Sequence, residues 1–124
     1  MSTVTDVILT LSVLERDADD EDDTLHILQP ELDRIEREHG RKLFPLARVS
    51  QHATGGKAMQ AVVFIGAYNC LPEDAFIEAI ERTSWEAPEA VRLFFQREHD
   101  EFGFQEVLLR LPGERRQAEE GSKR

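Results

Sequence analysis

The stretch KAMQAVVFIGAYN, Lys57 to Asn69, decides the fold class. Met59, Ala61, Val63, Ile65 and Ala67 fall on one side of an extended chain, and Val62, Phe64 and Tyr68 on the other. A period of two with apolar residues on both faces predicts a β-strand in the interior of a sheet. The segment Val4–Leu14 repeats the period, with Val7, Leu9, Leu11 and Val13 on one side and Thr10 and Ser12 on the other. Only Ile8 breaks its polar face. That segment is a second strand. It lacks the basic n-region and small-residue cleavage site of a signal peptide.

Between these strands, Leu28, Leu32 and Ile35 keep a helical spacing from about Gln29 or Pro30 to His39, where Gly40 ends the helix. Proline is best housed in a helix's first turn, and glycine just past its last. LFPLARVS (Leu43–Ser50) predicts a short strand that Pro45 confines to an edge. Pro72 opens a second helix with Glu73 and Asp74 in its first turn and Phe76, Ile77 and Ile80 as its buried stripe. VRLFFQRE (Val91–Glu98) and FQEVLLRL (Phe104–Leu111) predict a hairpin closed by HDEFG.

This order predicts an α+β domain over residues 1–111: a ferredoxin-like βαββαβ antiparallel sheet with one extra C-terminal strand and two helices on one face. Residues 112–124 have no apolar stripe and predict a mobile polar tail. The expected core holds Val7, Leu9, Leu11, Val63, Ile65, Phe76, Ile80, Val91 and Leu93. The opposite face, with Ile8, Val62, Phe64 and Tyr68, is then left to solvent or to another protein.

The 124 residues suit one domain, and their 40% hydrophobic and 32% charged content is that of a globular chain. Twenty-five acids against fifteen bases give a net charge of −10. A surface of that sign repels nucleic acid and anionic membrane, so the partner it selects is a basic protein. No run approaches the roughly 18 apolar residues of a membrane span. The single Cys70 rules out an internal disulfide and predicts a reducing, cytoplasmic setting.

The acids are concentrated in three runs. ERDADDEDD (Glu15–Asp23) sets seven carboxylates against Arg16. Glu73–Glu89 sets Glu73, Asp74, Glu78, Glu81, Glu86 and Glu89 against Arg82, and REHDE (Arg97–Glu101) forms the third. A charge run is ordinarily a solvated face. Three of them are also what an acidic docking surface requires. The candidate partner-binding residues are therefore Asp17, Asp19, Asp20, Glu21, Asp22, Asp23, Glu78, Glu81, Glu86, Asp100 and Glu101, with the lone Trp85, whose bland reading is a core lid, as the apolar anchor.

No motif names a reaction. A calcium loop starting at Asp20 places Asp22, Thr24 and Glu31 suitably but has Leu25 where glycine is needed. His26, His39, His52 and His99 show no helical i, i+4 metal pair, and no second cysteine completes a zinc set. ATGGK (Ala53–Lys57) lacks the first glycine of a phosphate loop and has Ala58 in place of the metal-binding hydroxyl. Cys70 precedes a helix start but has no histidine assigned to it by spacing. The expectation is no catalytic set, no metal and no cofactor.

Within Lys57–Phe104, the long strand, its AYN-x-L exit, the apolar helix and W-x-x-P-E-x-V from Trp85 to Val91 resemble small bacterial proteins of unknown or immunity-type role. The resemblance covers about half of the chain and rests on positions that shape the fold. It implies a compact domain that neutralises a toxin, and it carries no catalytic residue. The expected function is thus that of a non-enzymatic immunity protein or inhibitor, whose acidic surface occludes a basic, plausibly nuclease, toxin. The other expectation is a ferredoxin-like homodimer that binds or transforms a small ligand, using Tyr68, Trp85, His52 and Cys70.

Overall fold

The fold is taken from a computed structural model, which describes residues 3–13, 15 and 25–111. It is a mixed α+β arrangement of five strands and two helices. In chain order these are β1 (Val4–Ser12), α1 (Gln29–His39), β2 (Ala47–Arg48), β3 (Ala61–Asn69), α2 (Glu73–Arg82), β4 (Arg92–Arg97) and β5 (Gln105–Val107). The strands form one sheet in the order β2-β3-β1-β4-β5, with every neighbouring pair antiparallel. The tail 112–124 lies outside the described residues.

Local chemistry explains the helix boundaries. Pro30 stands in the first turn of α1, where its missing N–H costs nothing, and Gly40 closes the helix at φ 67°, donating its N–H to Glu36 O at 2.8 Å. Leu32 and Ile35 are the buried stripe, extended backwards by Leu25 and Leu28 from an irregular turn. Pro72 precedes α2, and Thr83 closes it by donating its hydroxyl to Ala79 O at 2.8 Å. Arg97 at the end of β4 ties down the opposite end of α2. Its Nη2 lies 2.7 Å from Glu73 Oε1, and Thr5 donates to the same carboxylate at 3.0 Å. Glu73 raises the Arg97 pKa, chiefly through that hydrogen bond.

The face assignment of β3 is inverted relative to the sequence expectation. Val62, Phe64 and Tyr68 are buried, whereas Val63 is only half-buried and Ile65 is 41% exposed. The register is the cause. Leu9 lies opposite Phe64 and Leu11 opposite Val62, so the clean inward set of β1 pulls its cross-strand partners into the core. β3 alone does not specify its facing, because both of its sides are apolar. The other seven residues expected in the core (Val7, Leu9, Leu11, Phe76, Ile80, Val91 and Leu93) are there, in one cluster with the buried residues of both helices. Gly66 also points inward. A Cβ there would stand 2.8 Å from both Leu46 Cδ2 and Tyr68 Cε2, so only hydrogen fits beneath the tyrosine ring.

Two strands are shorter than their sequences suggest. Of Leu43–Ser50 only Ala47–Arg48 pairs, because Leu43 and Leu46 turn into the core at a spacing of three. Of Phe104–Leu111 only Gln105–Val107 pairs, yet alternation persists: Leu109 and Leu111 are buried and Leu108 is 85% exposed.

Candidate functional site

Asp17, Asp19, Asp20, Glu21, Asp22 and Asp23 lie outside the described residues, but the residues where their run begins and ends are fixed. Glu15 is not part of a solvated connection, as the sequence implied. It is 1% exposed, and its Oε1 accepts a 2.7 Å hydrogen bond from the backbone N–H of buried Ala87. Its own N–H reaches Ser12 O at 3.1 Å. On the far side of the run Leu25 is buried in the core. The acidic stretch is therefore pinned at its start against the connection that follows α2.

That pinning sets Glu15, the first residue of one acidic run, beside Glu86 and Glu89, the last acids of the second. Glu86 and Glu89 flank Ala87 within two residues and are exposed. Glu81, on the last turn of α2, accepts from Arg110 N at 2.7 Å, and Glu78 pairs with Arg82 at 3.1 Å. The third run is elsewhere. Asp100 caps the β4–β5 hairpin by accepting from Arg97 N at 2.8 Å, and Glu101 is exposed beside it. Arg97 holds Glu73 at the start of α2, roughly 12 Å of helix from Glu81 at 1.5 Å per residue. Asp100 thus lies at the Glu73 end of α2, sharing Arg97 with that residue, and away from Glu81.

Trp85 requires a correction. It is 8% exposed, and its indole N–H donates to Ile80 O at 2.8 Å, satisfying a carbonyl at the end of α2. It is the core lid and offers a partner almost no surface. The dipeptide Ser84-Trp85 reads either way until that carbonyl is placed beside it.

The four residues considered for a small ligand do not assemble. Tyr68 and Cys70 line a recess of about 350 Å³ together with His39, Arg41 and Lys42, whereas His52 and Trp85 are not part of its wall. Tyr68 donates its hydroxyl to Phe44 O at 2.7 Å, and burial pushes its pKa up to about 12, so it is a structural donor. Cys70 adopts φ 51° at the exit of β3, with its N–H bonded to Thr3 O at 2.9 Å. Among the described residues no group of three or more His, Cys, Asp or Glu could hold a metal. Glu31, the one described acid of the calcium alternative, lies 2.9 Å from Arg34. Among the same residues no helix is long and apolar enough to cross a membrane.

The sheet surface away from the helices is the feature that the sequence assigned to the wrong residues. Ile8, Ile65 and Phe94 stand side by side on β1, β3 and β4, and a groove of about 480 Å³ runs past Asp6, Ile8, Pro45, Ala47, Ile65 and Phe104. Ile8, which breaks the polar face of its strand, was the legible signal. Phe94 was missed because VRLFFQRE is apolar on both sides.

The chain matches no family model, no curated protein and no solved structure.

Proposed function

We propose that this chain is a non-enzymatic binding protein whose acidic end docks on a basic protein, in the manner of an immunity protein or inhibitor that covers a toxin domain. The observation that carries the reading is the Glu15–Ala87 hydrogen bond, which sets the start of the acidic run beside Glu86 and Glu89. A protein that holds polyanions must present lysine and arginine, and a concentrated negative end is steered towards such a surface and occludes it. Asp17, Asp19, Asp20, Glu21, Asp22 and Asp23, with Glu78, Glu81 and Glu86, form the docking set of this proposal. We also read the strand order β2-β3-β1-β4, antiparallel throughout and interleaved with two helices, as ferredoxin-like, with β5 added beyond β4. The lone Cys70 is in keeping with a cytoplasmic setting.

The test compares the wild type with a variant in which Asp19, Asp20, Asp22 and Asp23 are all Asn. Each is tagged and used to capture partners from its native cell, and the purified pair is then followed by stopped-flow mixing. The expected result is one basic protein retained by the wild type, whose association slows several-fold with the variant. The loss is greatest at low salt, where the Debye length is longest. A partner without a basic surface, or association rates that are equal at low salt, would overturn the proposal.

A further inference from the structure

We propose that the open face of the sheet is a homodimer interface, covered by a second copy of this chain packed sheet to sheet. Ala47, Ile65, Ile8 and Phe94 form one row across four strands, since Ile65 lies opposite both Ala47 and Ile8, and Ile8 opposite Phe94. Phe104 and Leu108, 42% and 85% exposed, extend the apolar surface along the outer edge. A continuous apolar row on the solvent side of an antiparallel sheet is the pattern of a surface that packs on something else.

Among the described residues nothing lies over this row. The two longer stretches outside them read RDADDEDDT (16–24) and PGERRQAEEGSKR (112–124), and neither has an apolar residue larger than proline to offer it. The face is thus open to a second chain.

Size and charge select a second copy. Five strands about 4.8 Å apart, averaging about six residues at 3.3 Å, give on the order of 500 Å² in plan. Two such faces bury about 1,000 Å² before side-chain relief is added, the threshold of a specific interface. Among the described residues, the charges at the strand positions of the face are Asp6, Arg92 and Glu106, and Arg92 lies 3.4 Å from Glu106 of the same chain. Asp6 lies opposite Gln96 and Arg92 opposite Thr10, so the two flank the Ile8–Phe94 pair from diagonal corners. A twofold axis lying between the sheets and crossing the midpoint of Ile8 and Phe94 sets Asp6 of each copy over Arg92 of the other. This is the isologous geometry of a cyclic dimer, with Ile8 near its own counterpart. The contact is independent of the acidic end and responds to salt with the opposite sign. Two chains of charge −10 repel, so added salt tightens the dimer by screening.

Sedimentation velocity over a range of protein concentration, at low and high salt, tests the proposal. The wild type should move from 14.2 kDa to twice that mass as concentration rises, and at lower concentration in high salt. Ile65→Asp should weaken the dimer by at least about a hundredfold, because each dimer carries the buried carboxylate twice. At concentrations where both proteins are monomers, its far-UV circular dichroism and melting should match the wild type, since Ile65 is 41% exposed in the single chain. Phe44→Asp, at an exposed apolar residue preceding β2 and off this face, should dimerise as the wild type does. A wild type that stays monomeric at every concentration and salt, an Ile65→Asp dimer of normal strength, or a Phe44→Asp monomer would each overturn the assignment.

Discussion

Glu15→Ala is the sharpest probe of how the acidic end is built. The carboxylate is 1% exposed and accepts from the N–H of Ala87, itself buried, at 2.7 Å. Truncation leaves that amide without an acceptor, at a cost of about 1–3 kcal/mol. The vacated side-chain volume adds about 1 kcal/mol, by analogy with large-to-small core substitutions. Against this, the folded state no longer holds a carboxylate away from water, which returns part of the loss. The expected net destabilisation is about 2 kcal/mol, a substantial share of the roughly 5–15 kcal/mol that holds a domain together. Glu15→Gln keeps an acceptor of nearly the same shape, so it should lie within about 1 kcal/mol of the wild type. Urea unfolding of the three proteins, monitored by Trp85 fluorescence, gives the ordering through the midpoints at constant slope. A Glu15→Ala protein as stable as the wild type would mean that the acidic run is not pinned at Ala87. The case for a composite acidic end would then fail with it.

Three other expectations bear on the core. Phe64→Ala should cost about 3–5 kcal/mol, whereas Val63→Asp, on the half-open face, should cost less than about 1 kcal/mol; chemical denaturation showing the reverse would restore the opposite register of β3. Gly66→Ala should destabilise by about 1–3 kcal/mol, because the new methyl meets Leu46 and the Tyr68 ring at 2.8 Å; an unchanged melting temperature would show that the ring moves aside freely. Tyr68 is the only tyrosine, so tyrosinate absorbance reports it alone. Its pKa is raised from 10.0 to about 12, so its stabilising contribution is complete below pH 10 and is lost as pH rises towards 12. The loss reaches about 2–3 kcal/mol, and Tyr68→Phe should abolish it; ionisation of the folded protein near pH 10 would contradict the burial.

The parts of the fold legible in sequence are those fixed by local chemistry. Pro30 and Gly40 bound α1 through their own backbone constraints, and Pro72 places α2 in the same way. The facing of β3 was not legible, because it depends on which residues of β1 lie across from it. The volumes of Phe64 and Tyr68 and the bare Gly66 between them belong together only once that register is set. The segment Leu43–Ser50 misled for a related reason. Its leucines follow a spacing that suits an irregular chain dropping into the core, and a period-two search counts them as strand. The acidic runs were legible as charge but not as a surface. The placing of Glu15 beside Glu86 and Glu89 depends on a hydrogen bond between residues 72 apart in sequence, and no local pattern encodes such a bond.

A chain of charge −10 and an apolar sheet face are in tension within one small domain, and their coexistence has a physical logic. Net charge opposes non-specific association, so an uncovered row of Ile8, Ile65 and Phe94 does not by itself drive aggregation. The described acids at the Glu15–Ala87 end come from loop and helix, while among the described residues the strand positions of the open face carry only Asp6, Arg92 and Glu106 as charges around its apolar centre. Charge is thereby kept off the surface that must desolvate and concentrated where long-range attraction is useful. One variable separates the two roles. Raising the salt should slow docking at the acidic end and strengthen sheet-to-sheet pairing, because screening removes an attraction in the first case and a repulsion in the second. If both processes shifted in the same direction with salt, the two surfaces would not be electrostatically distinct, and the division of labour argued from their geometry would be wrong.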